Sequence, residues 1–397
     1  MIPTAVFCPI KTGPDTPLAR VKSGTFSSQS IEAPPASIAI NISAVTPTAL
    51  IFKEEYKTVC NAVELYKPDV AVVDYTFFAG RCAVMNLNVP FFCNVAFSPL
   101  SIIREQTWAA AWKYPQTGTG YSMEMSIATK LRNFYYIVGQ TLVGAYCIGT
   151  LAYQVSKDSA LRFRDMSNSA IFQHSRGVFI NTILDFEYPV AKNDHIIPTG
   201  PLISTFDNTN FDPWLNDHET IVFIGLGTIT KLDKAAVEQY LAVFKIVSRK
   251  FPECAFLFKT NNALADHQAL PTVPENIRIV NYLPSQLAVL NHPHIKVFVS
   301  HCGGNGVHEG LYFGKPILGV PKWSDCYDFA QRIQDFGVGL RVFKTFPTID
   351  VDEVATKMVR LLTERRFTEV AMKMMFKMRS FGLKVAVDAI LNEFHEE

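Results

Sequence analysis

A chain of 397 residues, 48% of them hydrophobic, is long enough for two domains or three, each with its own core. Its 37 basic and 36 acidic residues leave a formal net charge of +1, so no charge excess points to nucleic acid or an anionic surface, and a small-molecule partner is indicated. The eight cysteines (8, 60, 82, 93, 147, 254, 302 and 326) never form a Cys-x-x-Cys pair, which fits a reduced, cytoplasmic setting.

From Met1 to Pro47, Thr, Ser, Pro and Gly break every run before a periodicity develops. No basic region precedes the short apolar start, so neither a secretory signal nor a terminal anchor is expected, and the Asn41-Ile-Ser43 sequon reads as a chance triplet. The pattern then settles. Thr48 to Tyr66 predicts a helix, Pro68 to Val73 a buried strand ending at Asp74, Phe77 to Leu87 a helix and Pro90 to Phe97 a strand. This is βαβ order, hence a parallel sheet. Phe134 to Val155 is apolar over almost a membrane-spanning length, but Gln140, Thr141, Thr150 and Gln154 interrupt it. Gly139, Gly144 and Gly149 step about 140° apart and give no packing stripe, so a buried or acceptor-facing helix is favoured over a span. Gly177 to Leu184 reads as the last strand of this half.

Gly200 to Asp217 concentrates Gly, Pro, Asn and Asp and predicts a linker. Beyond Glu219 come a strand (Thr220 to Ile224), a glycine turn (Gly225 to Thr228), a helix (Leu232 to Lys250) and strands at Cys254 to Lys259 and Ile277 to Asn281. Val338 to Val342 is expected to close the sheet, with helices over Val351 to Leu362 and Arg366 to Phe394.

The richest stretch lies between, from Lys296 to Ala330. A Val- and Phe-rich strand ends at Ser300, His301 to Gly306 form a tight turn, and a helix follows from about Asn305. The first N–H groups of a helix have no partner within it, so with the positive end of the macrodipole they suit a phosphate. Glu309, four residues after Asn305, shares its helix face and is placed to reach the hydroxyls of an attached ribose. Ligands of open α/β sheets sit beyond the strands' carboxyl ends, so His301 and Asp325 are expected in one crevice.

The positions His301, Gly303, Asn305, Gly306, Glu309, Gly314, Pro316, Pro321 and Asp325 resemble the nucleotide-sugar signature of the UDP-glycosyltransferase family, with Cys326 where the family usually has Gln. The resemblance implies an α/β chain of the GT-B fold, two Rossmann-like doubly wound domains facing each other across a cleft. It divides the chain into an acceptor-binding domain (1–200), a linker (201–218), a nucleotide-sugar domain (219–377) and a terminal helix (378–397) packing back on the first domain. Carried onto matching positions, it implies that Tyr282 stacks on uracil, Gln286 and Glu309 hold ribose, and Thr228, His301, Asn305 and Gly306 bind phosphate beside Gly303. Asp325 and Cys326 then face the sugar. It further implies transfer of a hexosyl group from UDP to a hydroxyl of a hydrophobic small molecule, such as a sterol, lipid or phenolic, with inversion. Neither metal nor cofactor is expected besides the UDP-sugar donor, and membrane contact would come without a transmembrane anchor.

Relatives deprotonate the acceptor with a His near the amino terminus, oriented by an Asp that Asp74 matches. No histidine precedes His174 here, and a loose alignment puts Pro14 in the base's place. Asp74 is left as the partner of a missing His or as a weak base itself. A degenerate or truncated member, binding UDP-sugar without efficient transfer, is the competing expectation.

Overall fold

The computed structural model describes residues 52–96, 112–157, 168–189, 193–203, 206–227, 230, 232–260, 273–323, 325–345 and 348–393. The expectations for Met1 to Pro47, Pro14 included, and for Thr228 lie outside these residues.

The first domain opens with α1 (52–66), whose Phe52 is buried in the core. There follow β1 (Ala71–Asp74), α2 (Phe78–Asn86), β2 (Phe91–Val95), α3 (Ile127–Ser156), α4 (Asn168–His174), β3 (Gly177–Ile180) and β4 (Ile196–Pro198). The strands pair in the order β1-β2-β3-β4, all parallel. The strand read as Gly177 to Leu184 stops at Ile180, and Leu184–Phe186 is a 3-10 turn. β4, which the sequence reading missed, is too short to show a period of two, and the Ile180 carbonyl accepts from the Thr199 N–H (3.0 Å) just beyond it.

The helix α3 departs from expectation: it is not buried. Among the described residues it is the one helix long and apolar enough to cross a membrane, yet only 17% of that window is covered by protein. Gln140, one of the polar residues interrupting its apolar run, anchors it together with Asn133. Asn133 accepts from the Gln116 N–H (2.6 Å) and donates to the Tyr114 carbonyl (2.9 Å), and Gln140 donates to the Thr117 carbonyl (3.1 Å).

The second domain contains β5 (Thr220–Gly225), α5 (Lys234–Lys250), β6 (Cys254–Lys259), β7 (Ile277–Val280), α6 (Gln286–Asn291), β8 (Ile295–Ser300), α7 (Gly304–Tyr312), β9 (Ile317–Gly319), α8 (Cys326–Asp335), β10 (Gly339–Arg341), α9 (Val351–Thr363) and α10 (Arg365–Arg379). Its six strands are parallel in the order β10-β9-β8-β5-β6-β7. The central strand β5 is apolar on both faces, as a sheet covered on both sides requires. Val222 and Ile224 pack with Val237, Phe244 and Val354 of α5 and α9, while Ile221 and Phe223 pack with Val289, Val307 and Ile333 of α6, α7 and α8.

The single helix expected from Arg366 to Phe394 is two. Ser380 to Gly382 break it, and Gly382 takes φ +128, open to glycine but strained for a side chain, while its N–H donates to the Thr199 carbonyl (2.6 Å). The redirected α11 (Leu383–Glu393) lays Ala386, Ala389 and Ile390 against Phe92, Phe179 and Ile197 of the first domain.

Other contacts also join the domains. The Asp328 carboxylate on α8 accepts from the N–H groups of Gly118 (2.7 Å) and Gly120 (3.0 Å), and Arg341 donates to the Gly120 carbonyl (2.6 Å). Tyr188 donates to Asp335 (2.7 Å), and Arg332 forms a buried ion pair with Glu187. These contacts hold α8 and Arg341 of the second domain against the first.

Candidate functional site

The site is built where β8 ends. Cys302 takes φ +68, a conformation few L-residues adopt, and its N–H donates to Ser300 Oγ (3.1 Å) while its thiol is buried. The chain is turned sharply enough that α7 begins at Gly304, one residue before the expected start, with Gly303 as its cap residue and no side chain capping it. The N–H groups of Gly304, Asn305 and Gly306 therefore have no carbonyl partner within the helix and face outward with the positive end of its dipole. A methyl group at Gly304 would lie 3.1 Å from the Ala96 carbonyl, so this helix start is pressed against the end of β2.

Two glycines make room for His301. A methyl group at Gly227 or at Gly303 would come within 2.5 Å of the imidazole, and Gly227 also takes φ +81. The Trp323 ring centroid lies 6.0 Å from that of the imidazole. Nδ1 is buried without a hydrogen-bond partner among the described residues. Burial, and then the charges of Lys259 and Lys322, hold the imidazole pKa down at about 4, so His301 is neutral at pH 7. Burial also lowers both lysine ammonium pKa values. An imidazole nitrogen without a partner among the described residues, two partly desolvated cations and an uncapped helix start together offer donors and positive potential suited to an anion.

Lys259 and Lys322 escaped the sequence reading. A signal for the first was available, because Lys259 is the last residue of β6 and pairs in register with Gly225, at the carboxyl edge where ligands bind. Lys322 follows β9 in a loop with no period to announce it.

One turn along α7, Glu309 is half-buried and its carboxylate accepts from Gln286 Nε2 (2.6 Å). Burial raises the carboxyl pKa, while the Gln286 hydrogen bond and the Lys259 charge oppose the shift. Gln286 opens α6, and Ser285 caps that helix by accepting from the Ala288 N–H (3.1 Å), so the helix start brings Gln286 to Glu309. Tyr282 stands beyond β7 with 73% of its surface exposed, a free aromatic face at the same edge of the sheet. Asn305 is exposed. Asp325 is half-buried at the start of α8, where its carbonyl accepts from the Asp328 and Phe329 N–H groups (both 3.0 Å). Cys326 is turned the other way. Its thiol is 1% exposed in the core with Cys302 and Phe329, burial raises its pKa well above the usual thiol value, and it offers no atom to a sugar.

Across the cleft, Asp74 is the last residue of β1 and pairs in register with Asn94, two residues before Ala96. Its strand is therefore the immediate neighbour of the one touching α7. Asp74 is exposed, and its Oδ1 accepts from the Thr76 N–H (2.8 Å) and hydroxyl (2.5 Å), closing a turn. The two histidines of the first domain, His174 and His195, precede β3 and β4 and so lie at the amino ends of the strands. Among the described residues, no imidazole of the first domain stands at the carboxyl edge with Asp74.

Comparison with known proteins agrees with this geometry. The family model described as "UDP-glucoronosyl and UDP-glucosyl transferase" matches residues 37–379. A "UDP-glycosyltransferase 1" of Phaeomoniella chlamydospora is 28% identical over 54% of this chain and 46% of its own length. The rat "UDP-glucuronosyltransferase 2A1" is 23% identical over 78% of this chain and 57% of its own length. The chain thus spans about half the length of such curated relatives. Among solved structures, the glycotransferase of kitacinnamycin superposes with a TM-score of 0.65 at 17% identity, covering 88% of this chain and 82% of that one. Os79 from O. sativa gives 0.61 at 17% identity, covering 89% and 84%. Those likenesses establish the two-domain GT-B fold, and with a family model that spans most of the sequence they show that this chain belongs to the UDP-glycosyltransferase family.

Proposed function

We propose that the cleft binds a UDP-sugar and that the chain transfers a hexosyl group from it to a hydroxyl of a hydrophobic small molecule with inversion. The observation that carries the reading is His301: a neutral, half-buried imidazole whose buried Nδ1 has no hydrogen-bond partner among the described residues, flanked by Lys259 and Lys322 at an uncapped helix start. Those groups supply donors and positive potential to a diphosphate with no step routed through a metal. Glu309 and Gln286 take the ribose hydroxyls, Tyr282 the uracil face, and Asp325 the sugar. The acceptor oxygen attacks the anomeric carbon from the side opposite the diphosphate, the bond from that carbon to the β-phosphate oxygen breaks, UDP leaves, and the acceptor proton passes to a base.

A second reading, binding without efficient transfer, is favoured by one observation: Asp74 has no histidine beside it among the described residues. Loss of a general base commonly costs a factor of roughly a hundred to ten thousand. Calorimetric titration with UDP, followed by incubation of labelled UDP-sugars with phenolic and sterol acceptors, separates the two. UDP binding with glycoside formed supports the enzyme, and UDP binding with neither glycoside nor free sugar supports the second reading. UDP affinity unchanged by His301→Ala with Glu309→Gln overturns both.

A further inference from the structure

We infer that α3 is a lipid-binding surface, which lays the first domain on an anionic bilayer with the helix parallel to the membrane plane. The helix has two faces that do different things. Residues 133, 140, 147 and 151 recur at seven- and four-residue intervals and so share one side. Asn133 is fully buried, Gln140 is hydrogen-bonded to the segment beneath it, and Cys147 and Leu151 are buried, so that side is fixed to the protein along its length. The opposite side carries Ile127, Leu131, Tyr135, Leu142, Tyr146 and Tyr153, again at intervals of four and seven, with between 56% and 78% of their surfaces exposed. Gly149, on the same exposed side, is open as well, with nothing within 4 Å of an added methyl group. An apolar face of this extent is rare on a soluble monomer.

The charges select the occupant. No Asp or Glu occurs from Ile127 to Ser156, while Lys130 and Arg132 flank the apolar stripe at its start and Lys157 lies at its end, its ammonium over the Tyr153 ring (4.3 Å). Cations and tyrosines bordering an apolar face are complementary to acidic headgroups above an acyl layer, where both rings and basic side chains find their preferred depth. The fixed inner side excludes a span, because crossing a bilayer would tear Asn133 and Gln140 from their partners and place both in hydrocarbon. A helix that cannot leave its domain can only lie on the surface.

The test is flotation of the full chain with vesicles of phosphatidylcholine alone and of phosphatidylcholine with about one-third phosphatidylserine. Binding is expected to the second, weakened by salt, and reduced about tenfold or more by Leu131→Glu with Leu142→Glu, two changes on an exposed face. Retained UDP affinity and an unchanged circular dichroism spectrum show that the variant is folded. Equal binding by wild type and variant overturns the inference, as does failure of the wild type to float with either vesicle. A concentration-dependent dimer by light scattering that the double variant abolishes also overturns it, since a second copy would then own the stripe.

Discussion

If His301 is the phosphate contact, donor binding must take up a proton. In the free protein its pKa is about 4, so at pH 6 the ring is essentially neutral. A phosphate charge about 4 Å from the ring contributes roughly 4 kcal/mol at an effective dielectric constant near 20, equivalent to about 3 pKa units. That raises the imidazole to about 7 in the complex, above the pH of the experiment. UDP titrations at pH 6 in buffers of different ionisation enthalpy should then give apparent heats linear in buffer enthalpy, with a slope near one proton per site. UDP itself titrates in this range, so the informative quantity is the difference from His301→Asn, which cannot ionise. That difference should shrink as the pH rises to 8. Equal slopes for the two proteins would show that the nucleotide charge does not meet this ring and would refute the assignment.

Other consequences are independent of that measurement. Glu309→Gln places a second amide opposite Gln286 Nε2 and removes the charged acceptor, so UDP affinity should fall by roughly ten- to a hundredfold by calorimetry, with a smaller loss for uridine analogues lacking ribose hydroxyls. Asp328→Ala strands the Gly118 and Gly120 N–H groups between the domains and should cost about 2 to 4 kcal/mol by urea denaturation, with faster proteolysis near Gly118. His308 gives a pH dependence. It is buried, bonded to Thr182 Oγ1 (3.0 Å), and its pKa is held down at about 3 by burial and then by Arg332, whereas an unfolded histidine titrates near 6.5. Below pH 6.5 the unfolded chain binds a proton that the fold refuses, so stability falls with pH between 6.5 and 3, by about 2 kcal/mol at pH 5. His308→Gln should flatten that part of the profile relative to wild type in denaturant titrations.

What could be read from the sequence follows where the physics is local. The buried strands of the second domain are continuous apolar runs, and β5, β6 and β8 fall within a residue or two of their expected bounds. His301 and Glu309 are positioned by a turn and a helix face, hence by spacing alone. Lys259 can be placed at the carboxyl edge from its strand end, but its effect on His301 depends on strand order, since β6 and β8 lie on either side of β5 only in space, while Lys322 lies in a loop without a period. Cys326 shows the converse error. A motif position predicts which element carries a side chain but not which way it turns, and helix phase sends this thiol into the core. The same phase decided α3: its apolar content suggested burial, but only the anchoring at Asn133 and Gln140 reveals which side is covered.

Binding and turnover rest on different parts of this molecule. On the proposed reading, the groups that would hold the donor (His301, the α7 start, Glu309, Gln286 and both lysines) all come from one domain, and the other domain meets them at the pressed contact at Ala96. In the proposed transfer the base would act from the far side of the sugar, on the opposite wall of the cleft, where Asp74 ends its strand in a turn with Thr76. A defect there leaves UDP affinity intact while removing the chemical step, since a base acts only in the transition state. The ratio of turnover to donor affinity is therefore the quantity that distinguishes a working member of the family from one that only binds, and fold similarity cannot supply it.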